Sequence, residues 1–98
     1  MLPGVVKLIK KKTRTVAFLD STVLRYATYD SSTETLNVGN HDDVVVTSRW
    51  VTPQRFSAFL RSENKESYWI HKIVTNQEYM TRVRHFDLED RINRLFAT

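Results

Sequence analysis

The stretch YATYDSSTETLNV, residues 26–38, decides how this chain folds. Its two ends alternate apolar and polar residues, as a strand with one buried face does. Between them, DSST gathers side chains that favour turns by bonding their own backbone. The pattern predicts a β-hairpin in which Tyr26, Leu36 and Val38 serve the fold. It contains few residues capable of chemistry.

Outward from the hairpin, GVVKLIK reads as a strand and TRTVAFLD as a second strand or a connector. TVLRYATYD and TLNVG form the hairpin itself, and DVVVTSRWV is a further strand after the turn GNHDD. The run VVV does not alternate, which predicts burial on both faces. At Thr52-Pro53 the pattern changes. The Thr52 hydroxyl suits an N-cap, and Pro53 fits a first helical turn, where its missing N–H costs nothing. Phe56, Phe59 and Leu60 follow at i, i+3 and i+4, so a helix is expected over residues 52–61. After the polar RSENKES, YWIHKIV is either a short helix with Trp69 and Ile73 on one face or a strand. EYMTRVRHF alternates, placing Tyr79, Thr81, Val83 and His85 on one strand face. Asp87, Glu89 and Asp90 then suit the positive end of a C-terminal helix striped by Leu88, Ile92, Leu95 and Phe96.

These elements predict a single α+β domain, with a small antiparallel sheet of about four to five strands and a central and a C-terminal helix packed on it. Residues 1–20 read as a basic N-terminal extension, 21–79 as the core, and 80–98 as a strand and the C-terminal helix. At 98 residues, 41% hydrophobic and 27% charged, the chain has the size and composition of one globular domain. So small a domain leaves little volume for a deep pocket.

The absence of cysteine excludes disulfide scaffolds, zinc–thiolate sites and thiol nucleophiles, and suits a reducing cytoplasm. MLPGVVKLIKKKTR places its short apolar start before its lysines, the reverse of a secretory signal. No run approaches the ~20 apolar residues that span a bilayer. A soluble cytoplasmic protein without a membrane partner is expected.

The net charge of +4 is unevenly placed. Lys7, Lys10, Lys11, Lys12 and Arg14 meet no acid through residue 14. Residues 15–48 set Arg25 against Asp20, Asp30, Glu34, Asp42 and Asp43, and residues 49–98 carry nine bases and six acids. Such segregation builds a face that attracts phosphate backbones, or simply a solvated surface.

Ser21, Thr22, Leu24, Tyr29, Asp30, Thr33, Leu36 and Val38 spell a Ser-Thr pair, a hydrophobic strand, Tyr-Asp, a turn with Thr, and Leu-x-Val. WVTPQRFSAFLRS adds a strand-to-helix junction through Val51, Phe56, Leu60 and Ser62, and YWIHKI an aromatic pair followed by isoleucine. Over residues 21–79 the chain thereby resembles the KTSC domain family. It departs at Val46-Thr47-Ser48, where the family has Tyr-x-Tyr, and at ENKES, which lacks the glycine common before the aromatic pair. The resemblance implies a compact α+β fold and, through the family's association with a tRNA synthetase, RNA binding.

His41, Asp42 and Asp43 are the nearest approach to a metal or acid–base cluster, but they sit in a turn and no second His-plus-acid pair accompanies them. His71 and His85 are lone histidines in apolar runs. No serine occupies a Gly-x-Ser-x-Gly elbow, and Gly4 and Gly39 alone cannot build a phosphate-cradling loop. No catalytic residue, metal or cofactor is expected, and the chain is not read as an enzyme.

The leading expectation is non-catalytic nucleic-acid binding, RNA ahead of DNA, through phosphate contacts from Lys7, Lys10, Lys11, Lys12 and Arg14 together with Arg82 and Arg84. Tyr26, Tyr29, Trp50, Tyr68, Trp69 and Tyr79 offer stacking surfaces wherever they are exposed. No RNP1 segment or GXXG loop accompanies them. The alternative is a protein-interaction module, such as a phage- or mobile-element-encoded accessory or inhibitor. Its stripe of Leu88, Ile92, Leu95 and Phe96 would dock into a partner's groove or pair with a second copy as a homodimer. The same stripe also suits covering this domain's own sheet.

Overall fold

The computed structural model describes residues 2–42 and 44–85. Six strands form one antiparallel sheet in sequence order: β1 (Val5–Lys11), β2 (Arg14–Leu19), β3 (Leu24–Asp30), β4 (Thr35–Asn40), β5 (Val44–Arg49) and β6 (Met80–His85). Helix α1 (Pro53–Arg61) follows β5. Helix α2 (Lys65–Trp69) comes next and runs on into a π-helical turn at Ile70–Val74. The described residues form six strands where about four to five were expected, since TRTVAFLD, read as a second strand or a connector, is strand β2. The segment read as a basic extension supplies two of its strands.

Local chemistry sets each turn. Asp30 pairs with Thr35, leaving residues 31–34 as the β3–β4 turn. There the Asp30 carboxylate accepts from the Ser32 hydroxyl at 2.6 Å and the Ser32 N–H at 2.9 Å. Those bonds favour the ionised form, the hydroxyl's most, and hold the Asp30 carboxyl down at about 2. Between β1 and β2 only Lys12 and Thr13 intervene, and Lys12 adopts a left-handed φ of 56°.

Alternation then sorts the side chains. Thr15, Ala17 and Leu19 of β2, Ala27 and Tyr29 of β3, Leu36 and Val38 of β4, and Val46 and Ser48 of β5 are buried on one face, here called inner. Cross-strand pairing aligns them: Ala17 with Ala27, Tyr29 with Leu36, Val38 with Val46. Val44 and Val45 are only half-buried, so the VVV run is not enclosed on both sides. The reason is parity, since Val45 points away from the helices.

Helix α1 starts as the sequence indicated. Thr52 Oγ1 accepts from the Arg55 N–H at 3.2 Å, Pro53 occupies the first turn, and Phe56, Phe59 and Leu60 are buried. The Phe56 ring stacks on Tyr29 with centroids 4.5 Å apart and planes at 16°. Tyr29 Oη donates to the Val51 carbonyl at 2.5 Å. Arg55 fastens the helices to the approach to β6, donating from Nε to Tyr79 Oη and from Nη1 to Tyr68 Oη, each at 3.2 Å. These acceptors, Tyr79 first, push its guanidinium pKa up.

YWIHKIV is helical rather than extended, with Ile73 fully buried in the core and Trp69 packed at its edge. Lys65 is 6% exposed, and its ammonium donates to the carbonyls of Pro3 and of Ser62, the latter at 2.7 Å. Desolvation lowers its pKa. The expected C-terminal helix and its stripe lie outside the described residues. Among the described residues, no helix is long and apolar enough to cross a membrane.

Replacing Tyr29 by Phe keeps the ring stack but strands the buried Val51 carbonyl, at an expected cost of about 1–3 kcal/mol in urea unfolding. Burial, with smaller contributions from Glu34, Tyr79 and Asp30, raises the Tyr29 hydroxyl from 10.0 to about 12. Its contribution is therefore complete below pH 10 and is lost as pH rises toward 12. The stability gap between wild type and Tyr29→Phe should narrow over that window; a gap that stays constant would contradict this account.

Candidate functional site

The outer face of the sheet carries the other parity. Register links Lys7, Phe18, Tyr26, Gly39, Val45 and Arg84 into one cross-strand row. A second row runs Ile9, Val16, Thr28, Asn37, Thr47 and Arg82. A third begins Lys11, Arg14, Asp30, Thr35. With strands about 4.8 Å apart, the ends of a six-strand row lie roughly 24 Å from each other.

Two details stiffen this face. In the first row, a methyl group at Gly39 would fall inside van der Waals distance of Tyr26 Cε1, Cζ and Oη. Glycine thus leaves room for the Tyr26 ring to lie across the neighbouring strand. In the second, the Asn37 amide donates to Thr28 Oγ1 at 3.3 Å and accepts from the Thr47 hydroxyl at 2.5 Å, which fixes its plane. Phe18 and Ile9, large apolar groups on this face, are each 43% exposed.

The residues singled out as phosphate contacts divide between the two faces. Lys7, Lys11, Arg14, Arg82 and Arg84 occupy outer-face positions. Lys10 pairs with Thr15 on the inner parity, and with Lys12, Leu8, Phe56 and Leu60 it lines a hollow of about 360 Å³ between β1 and α1. The lysine run therefore does not act as one unit. Arg14 Nε lies 3.4 Å from Asp30 Oδ2 with the arginine side chain 80% exposed, so solvent screens the pair and it adds little to stability.

At the end of the face nearest the 31–34 turn lies a depression of about 650 Å³ lined by Arg14, Asp30, Asn37, Arg49 and Trp50 among others. Trp50 is 57% exposed and holds a left-handed φ of 67°. An L-residue there costs about 1–2 kcal/mol. The next residue explains why it is tolerated: the Val51 N–H donates to the Glu34 carbonyl at 2.9 Å, its carbonyl accepts from Tyr29, and its side chain is fully buried. Two such bonds at about 1 kcal/mol each, with burial of a valine, outweigh the strain.

Of the aromatic candidates, Trp50 is exposed and Tyr26 half-exposed on this face. Tyr29 and Tyr79 are buried, and Tyr68 and Trp69 pack against the core. Phe18 and Arg49 were not singled out from sequence. Parity with Arg14 and Val16 was the signal for Phe18. His41 sits in the turn with its Nε2 3.0 Å from the Ser21 carbonyl, and the Asn40 side chain accepts from the backbone N–H groups of Asp42 and Val44. Asp43 and the Leu88, Ile92, Leu95, Phe96 stripe lie outside the described residues, among which no group of three or more metal-ligating side chains occurs. His71 is exposed.

No family model, curated protein or solved structure matches the chain. The likeness to the KTSC family therefore rests on the residues quoted for it.

Gly39→Ala should destabilise the sheet by about 1–3 kcal/mol by forcing the Tyr26 ring aside. Adding Tyr26→Ala should recover part of that loss, a coupling that thermal unfolding of the two single variants and the double variant would measure.

Proposed function

We propose that this chain is a small non-catalytic nucleic-acid-binding protein, RNA favoured over DNA, which grips phosphates with cations at both margins of the outer face. The observation that carries the reading is the first cross-strand row, with Lys7 at one end, Arg84 at the other, and Phe18 and Tyr26 between them. The second row ends on Arg82, and Lys11 and Arg14 reinforce the β1 margin.

Cations neutralise phosphates and release condensed counterions, which supplies affinity without sequence preference. Arginine adds planar, bidentate donors suited to phosphate oxygens. Aromatic rings between the margins give bases a surface to stack on, a mode typical of RNA and single strands. The KTSC resemblance favours the same ligand, and a cytoplasmic setting belongs to the same proposal.

Anisotropy titrations with single-stranded RNA, structured RNA and duplex DNA at two salt concentrations test it. For a single strand, each lost phosphate contact lowers the slope of log K against log salt by about 0.7. The double variants Lys7→Ala/Lys11→Ala and Arg82→Ala/Arg84→Ala should each reduce the slope by roughly 1.4. Lys10→Ala/Lys12→Ala removes the same charge from the other face and should leave it unchanged. Equal losses in all three, or no binding at low salt by the wild type, would sink the proposal.

A further inference from the structure

The depression beside Trp50 holds more than phosphate contacts require. Val16, Thr28 and Asn37 of the second row line it, with Arg14 toward one margin and Arg49 and Trp50 toward the other. At about 650 Å³ it falls within the range of sites that take small organic groups.

We propose that this depression receives one unpaired nucleobase, stacked on the Trp50 indole, so that the outer face selects single strands over duplexes. This rests on the nucleic-acid reading above and specifies its ligand. Indole is exposed here by backbone geometry: Val51 is anchored on both its N–H and its carbonyl, and the left-handed turn at Trp50 keeps the side chain out of the core. Every base has a π-face, so stacking on indole needs no particular sequence.

The Asn37 amide adds a polar contact. Thr47 occupies one acceptor site on Oδ1 and Thr28 takes one Nδ2 hydrogen, which leaves one donor and one acceptor on the amide. That is the pair with which an asparagine holds a base edge. Arg14 and Arg49 flank the depression, where charge-assisted bonds to the adjoining phosphates form. A base inside a duplex is already stacked on both faces, so it has no face free for the indole.

The test uses the full chain carrying Trp69→Phe, which leaves Trp50 as its single tryptophan. Trp69 Nε1 is buried without a hydrogen-bond partner among the described residues, so the exchange removes no described bond. A short single-stranded RNA should quench Trp50 emission, and a duplex of the same length should not. In the otherwise wild-type chain, Trp50→Ala and Trp50→Gly should weaken single-strand binding about tenfold or more. Trp50→Gly should also raise the melting temperature by roughly 4–8 °C, because glycine adopts the left-handed conformation without strain.

Loss of binding with a gain in stability is a combination that a merely structural tryptophan would not produce. Full single-strand binding by Trp50→Gly, while Lys7→Ala/Lys11→Ala and Arg82→Ala/Arg84→Ala lose it, would overturn the base pocket and leave the phosphate reading standing. Equal quenching by the duplex would likewise overturn the pocket. Failure of the wild type to bind any nucleic acid would overturn both.

Discussion

The hydrogen bond from Tyr29 Oη to the Val51 carbonyl, at 2.5 Å, is the constraint on which the rest of the molecule depends. Tyr29 stands in β3, paired with Thr15 on one side and Leu36 on the other, and its ring meets Phe56 of α1. The bond thus ties the middle of the sheet to the segment that leaves it for the helices. It also shapes the opposite face. With Val51 held at both backbone groups, Trp50 has one way to turn, and its indole emerges beside Arg49 at the mouth of the depression. A contact inside the core produces an exposed aromatic outside it.

The two faces divide the work. Inner positions carry mostly Ala, Leu, Val and Tyr, with Thr15 and Ser48 among them; outer positions carry cations at the margins and a mixture of aromatic, valine, hydroxyl and amide groups between. Strand periodicity is two, so a slip of one residue would exchange the sets and bury charge. The Asp30–Ser32 turn guards against that slip by fixing the register of the central hairpin. Folding and the candidate site therefore draw on the same alternation.

What was legible in the sequence was local. DSST and the alternation around it marked the hairpin, and Thr52-Pro53 marked the start of α1. RVRH showed that Arg82 and Arg84 share a strand face. Other features needed distant partners. TRTVAFLD was not clearly a strand because Lys12-Thr13, the turn before it, lacks the Gly or Asn that usually signals one. YWIHKIV is too short to show a period, and its packing into the core decides for helix. The lysine run read as one cationic block, yet pairing with β2 sends Lys10 to one face and Lys11 to the other. Phe18 and Arg49 are unremarkable alone and acquire meaning only from register across several strands. Trp50 is exposed because of a backbone turn that no local pattern announces.

Strand order also shapes how the sheet is assembled. From β1 to β5 each strand meets the next through a short connection, so those pairings close small loops at little entropic cost. Strand β6 pairs with β5 across residues 50–79, which hold both helices, and Arg55 bonds Tyr79 at its threshold. Among the described residues it is the one strand joined through a long closure, and β5 is its single neighbour. Arg82 and Arg84 ride on this strand, so one margin of the outer face depends on that closure. Any ligand that spans both margins favours the closed sheet over one with β6 detached, and so acts as a clasp across that long closure.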